Sequence, residues 1–177
     1  MRQLLLASLL VLSSTAAPTQ SFAQAPATTT WQRIHLLIGT WQAKTGSVGS
    51  AQADVSGAYT FREDLDGHAI VRTSTADTCA SPQPFDCKHN DLLTLYPEGP
   101  DKVSALYLDS EGHVIHYAVT MPDADTVIFQ SEKSEKPAPN FRLLYHLDGK
   151  VMQGKFQIAP PGSSEFKSYL EWSGTKK

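Results

Sequence analysis

Four potential metal ligands stand close together in this chain: Cys79, Asp86, Cys87 and His89. Thiolate, carboxylate and imidazole are the donors that hold zinc, but a Cys-x7-Cys spacing is unlike the short knuckles of common zinc modules. Cys79 and Cys87 are the only cysteines. They flank a turn-rich insert, Ser81-Pro82-Gln83-Pro84-Phe85-Asp86, and an export-type N-terminus favours their oxidation, so a disulfide is the expected pairing. Of the six histidines, His113 and His116 are three apart on an expected strand; they point to opposite faces and cannot share a metal. His116 and His146 fall on the more polar faces of their strands, and no metal site is expected. The carboxylates Glu63, Asp64, Asp66, Asp123 and Asp125 sit in turns, where solvated acids are common. Arg72 and Arg142 lie within strands, where a buried guanidinium can grip a ligand carboxylate through two parallel N–H groups. The face pattern turns Arg142 outward, and a one-residue shift of register would bring Arg72 inward. No Gly-x-Ser-x-Gly elbow, P-loop, His-Glu-x-x-His or dinucleotide fingerprint occurs. The sequence therefore presents no catalytic constellation and implies no cofactor.

Whatever chemistry remains must be positioned by the fold. The chain has 177 residues, 41% hydrophobic and 19% charged, with a net charge of −3. That is an ordinary globular balance, with no basic footprint for nucleic acid. Residues 1–25 read as a secretory signal: a charged start, the apolar LLLASLLVL, and Ala23-Gln24-Ala25 as an Ala-x-Ala cleavage pattern. The apolar core is about half the ~20 residues a membrane span needs, and no later stretch is apolar enough to cross. Residues 26–30 form a flexible leader, and the domain is expected over 31–174. A periplasmic or secreted location follows; the oligomeric state is left open.

Trp31, Ile34, Leu37 and Ile38 have helical spacing, with Thr30 as a candidate N-cap and Gly39 as terminator. After Gly39 the period becomes two. Strands are expected near 40–46, 54–62, 68–77, 91–96, 102–109, 113–121, 125–131, 140–148, 150–158 and 164–173. Between them lie turn signals such as Asp66-Gly67 and Asp148-Gly149. Nearly every link is two to six residues, too short for the crossing connections of a sandwich. Closing the meander removes its two exposed edges. The fold class is therefore all-β, an antiparallel up-and-down barrel of about ten strands with a short N-terminal helix. Alternation places one bulky apolar face inward, including Tyr117, Tyr145, Phe156, Phe166, Leu170 and Trp172.

The segment Leu37-Ile38-Gly39-Thr40-Trp41, followed by this meander, resembles the calycin group of lipocalins, fatty-acid-binding proteins and nitrobindin-like barrels. It looks closest to exported bacterial lipocalin-like domains, which share the Leu-x-Gly-Thr-Trp opening and the Asp-x-x-Gly turns, here Asp109 to Gly112. The resemblance implies that Gly39 turns the chain tightly into the first strand and that Trp41 plugs one end of the barrel. It also implies a basic residue from the chain's end stacked on that Trp, for which Lys167, Lys176 and Lys177 are available. The haem-ligating His of nitrobindin-like barrels comes late in the chain; here no His follows His146, so haem is not carried over.

The expected function is an exported barrel that binds a small apolar or amphipathic molecule. Its body would touch Tyr59, Phe61, Tyr117, Tyr145, Phe156 and Trp172, with Arg72 as a polar anchor. Two alternatives stand beside this: a structural or interaction module whose core is filled, and an enzyme acting inside the barrel.

Overall fold

The computed structural model describes residues 28–48, 51–80, 88–133 and 137–177. The segment read as a signal, Cys87 and the whole insert before it lie outside the described residues. A one-turn helix, α1 (Thr30–Ile34), runs through a 3₁₀ turn (His35–Leu37) into ten strands. These are β1 (Gly39–Val48), β2 (Ala51–Asp64), β3 (Ala69–Ala80), β4 (Asp91–Pro97), β5 (Val103–Asp109), β6 (Val114–Thr120), β7 (Thr126–Ser131), β8 (Asn140–Asp148), β9 (Val151–Ala159) and β10 (Lys167–Lys176). Each pairs antiparallel with its sequence neighbour, and β1 pairs with β10 to close the barrel. The all-β up-and-down reading is the observed fold.

The alternation that predicts the strands also builds the core. On β6, Tyr117 and Val119 are buried while His116 and Ala118 are exposed. On β8, Leu143 and Tyr145 face in and His146 faces out. The interior rings meet edge to face: Phe61 and Tyr145 at 5.4 Å, Phe129 and Tyr145 at 6.0 Å, Tyr117 and Phe129 at 6.1 Å between centroids. This is the favoured geometry for aromatic quadrupoles.

Three local readings change. The N-cap is Thr29, one residue before the expected Thr30: its hydroxyl accepts from the Gln32 N–H, and the Gln32 side chain accepts from the Thr29 N–H. β10 runs to Lys176 rather than stopping near 173, because the polar tail finds a ladder in the start of β1, Trp41 opposite Lys176 and Gln42 opposite Thr175. Phe166 precedes β10 and packs under the Arg142 guanidinium, 3.9 Å from ring centre to carbon, instead of joining the core. An irregularity between Ser168 and Leu170 breaks the alternation that had placed it inward.

Candidate functional site

The two ends of the barrel differ. At the helix end, Ile34 and Leu37 are fully buried and cap the core. His35 bridges to Glu63 at 3.0 Å, and Arg33 donates to the Asp123 carbonyl, which ties α1 to the strand ends. Trp41 is buried, and its indole N–H donates to the Leu37 carbonyl at 2.9 Å. Lys176 lies over the ring, 5.3 Å from its centroid, so it is the basic partner that the resemblance implied. Gly39 has a φ of 134°, and a Cβ there would stand 2.5 Å from the Lys176 side chain. The glycine thus serves both the tight turn and the approach of the lysine.

Toward the other end, the described residues line a cavity of about 190 Å³. Ala43 of β1, which lines it, is opposite Gly57 of β2 on one side and Gly174 of β10 on the other; the space a side chain would take is filled at Gly57 by the Thr75 backbone and at Gly174 by the Tyr59 ring. Apolar wall is supplied by Ala43, Val55 and Leu170.

The polar wall is built from β3 and β4. Arg72 and Ser74 share the inward face of β3, two residues apart. One Arg72 N–H donates to the Tyr145 hydroxyl at 2.9 Å, and another donates to the Asp91 carboxylate. Ser74 donates to the second Asp91 oxygen at 2.5 Å. The side chains of Arg72 and Asp91 are only 8% and 12% exposed, so this is a largely desolvated ion pair. His89, at the mouth, is 2.9 Å from the Tyr107 hydroxyl and 3.2 Å from Glu111. Burial works against the Arg72 charge, but Tyr145 and Asp91 outweigh it and hold the guanidinium cationic. Burial also lifts the phenols of Tyr59, Tyr107, Tyr117 and Tyr145 above their ordinary range.

Among the described residues, three buried side-chain polar atoms find no hydrogen-bond partner: the Tyr59 hydroxyl, the Arg72 Nε and the Trp172 Nε1. All three residues border the same cavity. The Trp172 N–H is directed at the Tyr59 hydroxyl and lowers its pKa as a hydrogen-bond donor does, but the contact falls short of full hydrogen-bond geometry. The indole is wedged between Tyr59 and Tyr145, at 6.4 and 5.7 Å, and lies over the bare backbone of Gly154.

Of the residues expected to contact a ligand, Tyr59, Arg72 and Trp172 border the cavity. Tyr145 supports it from behind by holding Arg72. Phe61 and Tyr117 belong to the stacked core, and Phe156 stacks on Phe141 at 5.9 Å. Arg72 needs no register slip to point inward: it is opposite Phe61 and Leu93, both buried. Cys79 also borders the cavity, while its expected partner Cys87 lies outside the described residues. Sequence reasoning missed Asp91 and Ser74, and weighed His89 only as a potential metal ligand. The signal for Asp91 was present, since it shares parity with the inward Leu93 and Leu95 on a strand otherwise read as apolar.

A larger groove, about 450 Å³, lies on the outer wall across β8, β9, β10 and β1; its charges include the Lys155–Glu171 ion pair at 2.9 Å. Among the described residues no group of three or more His, Cys, Asp or Glu is placed to hold a metal, and no helix is long and apolar enough to cross a membrane.

No family model matches the chain, and no curated protein matches it. Among solved structures, Rv2717c from M. tuberculosis superposes with a TM-score of 0.54 at 12% identity, over 82% of this chain and 96% of that one. EF1p2_mFAP2b bound to DFHBI superposes with a TM-score of 0.38 at 11% identity, over 83% of this chain and 98% of that one. The likeness to Rv2717c is one of fold, and the closed ten-strand barrel fits a calycin-like fold.

Proposed function

We propose that this chain is an exported, lipocalin-like binding protein that takes a small apolar or amphipathic molecule in the cavity at the end of its barrel away from the helix. One observation carries the reading: the buried Tyr59 hydroxyl, Arg72 Nε and Trp172 Nε1 lack partners and share one cavity. An unpaired buried polar group costs about 1–3 kcal/mol, and a bound group that hydrogen-bonds to it recovers part of that cost. The apolar wall supplies the rest by burial, at about 25 cal/mol per Å². The volume is below the several hundred Å³ of drug-sized sites, so the molecule is small. Binding is favoured over catalysis because Ser74 spends its hydroxyl proton on Asp91, whose charge is already held by Arg72. That arrangement does not activate a nucleophile. The signal-like segment 1–25 supports export, and a Cys79–Cys87 disulfide would hold the insert against the mouth of the cavity.

The test is titration with N-phenyl-1-naphthylamine, a neutral dye that brightens in apolar surroundings, against wild type and Ala43→Leu. The larger side chain would fill the cavity from β1. Saturable binding to wild type that is lost in a folded Ala43→Leu supports the proposal. No saturable binding to folded wild type, together with no small molecule retained in native mass spectra of protein from its own host, leaves the filled-core module.

A further inference from the structure

We infer that the preferred ligand is uncharged and presents a hydrogen-bond acceptor, such as a carbonyl oxygen, rather than a carboxylate. This rests on reading the cavity as a binding site. A lone arginine in an apolar barrel would invite an anion, but Arg72 is not alone. One of its terminal nitrogens is committed to Tyr145 and the other to Asp91. Bidentate capture of a carboxylate uses two parallel N–H groups on one edge of the fork. Nε is the only guanidinium nitrogen without a partner, so either edge of the fork includes a nitrogen already engaged by Tyr145 or Asp91. An incoming carboxylate would also meet Asp91 at the same guanidinium, like charge against like charge in a largely desolvated place. Glu111, against His89 at the mouth, adds negative charge on the way in. The unspent groups act instead as single points: Arg72 N–H, Trp172 N–H and the Tyr59 hydroxyl. A carbonyl oxygen with two lone pairs matches such donors and brings no net charge.

Benzamide and benzoate test this, since they share size and shape and differ in charge at about pH 7, where benzoate is ionised. Competition against the bound dye should show benzamide tighter than benzoate on wild type by at least about tenfold. In Asp91→Asn the guanidinium loses its counter-charge, and the preference should shrink or invert. Asp91→Asn leaves a buried charge uncompensated and is destabilised. Where it does not fold, the double variant Arg72→Gln/Asp91→Asn serves: it removes both charges, the benzamide preference should be smaller than in wild type, and an undiminished preference overturns the inference. Benzoate binding wild type as tightly as benzamide overturns the inference. So does failure of both to compete while the dye still binds. Absence of dye binding is a different result and removes the binding reading itself.

Discussion

Gly154→Ala tests whether the Trp172 indole is held as the cavity's wall. A Cβ at position 154 would stand 1.9, 2.2 and 2.4 Å from Cε2, Cζ2 and Nε1 of Trp172. Carbon contacts settle at about 3.5–4.0 Å, so the indole must move by roughly 1.5 Å. It has little freedom to do so, because Tyr59 and Tyr145 pack against it edge to face. Overpacking of this kind costs about 1–3 kcal/mol. Removing the strand glycine would by itself have gained about 0.5–1 kcal/mol, so the measured loss is what survives that gain. Urea unfolding should show a lower midpoint at unchanged slope. In a Trp172→Leu background the clashing ring is gone, and the same alanine should cost little or stabilise. The difference between the two backgrounds is the coupling of residue 154 to the indole. An equal effect in both backgrounds, or no effect in wild type, would refute the wedge.

Four further outcomes follow from the same coordinates. Trp41→Ala should lose about 3–5 kcal/mol by thermal or urea unfolding, whereas Lys176→Gln, which removes only the cation over the ring, should lose less than about 1 kcal/mol. Leu65 is 70% exposed with a φ of 51°, so Leu65→Asn should raise stability by roughly 0.5–1 kcal/mol, since a left-handed non-glycine residue carries about 1–2 kcal/mol of strain and Asn tolerates that region best. The raised phenols of Tyr59, Tyr107, Tyr117 and Tyr145 favour the protonated form in the folded state, so their contribution is complete below the ordinary tyrosine pKa of about 10 and is lost as pH rises above it; an ultraviolet titration should show them ionising together with alkaline unfolding, and independent ionisation in folded protein would contradict their burial. The proposed Cys79–Cys87 disulfide requires that thiol titration of folded protein find neither cysteine reactive, and that its reduction cost about 2–3 kcal/mol.

Period two made the barrel readable. Once Tyr117, Tyr145 and Met152 fall on one face and His116, His146 and Gln153 on the other, a closed sheet is the arrangement that buries the first set without leaving edges. The site was less readable, for a physical reason. Alternation says which residues point inward, and so it correctly gathered Tyr59, Phe61, Tyr117, Tyr145 and Trp172 as interior rings. It does not say at what height along the barrel axis each ring sits, because that depends on strand tilt and stagger. Height separates Phe61 and Tyr117, packed in the core, from Tyr59 and Trp172, which border the cavity. Two of the small residues that line the cavity, Ala43 and Gly57, are unremarkable along the chain and come together only when β1 and β2 align them. Arg72 follows the same logic. As one residue in a strand it reads as a surface charge or a ligand anchor. Its partners Asp91 and Tyr145 come from β4 and β8, 19 and 73 residues on, and only the closed sheet brings them together. The charge that looked ready for a carboxylate is paired inside the protein, by partners that only the closed sheet supplies.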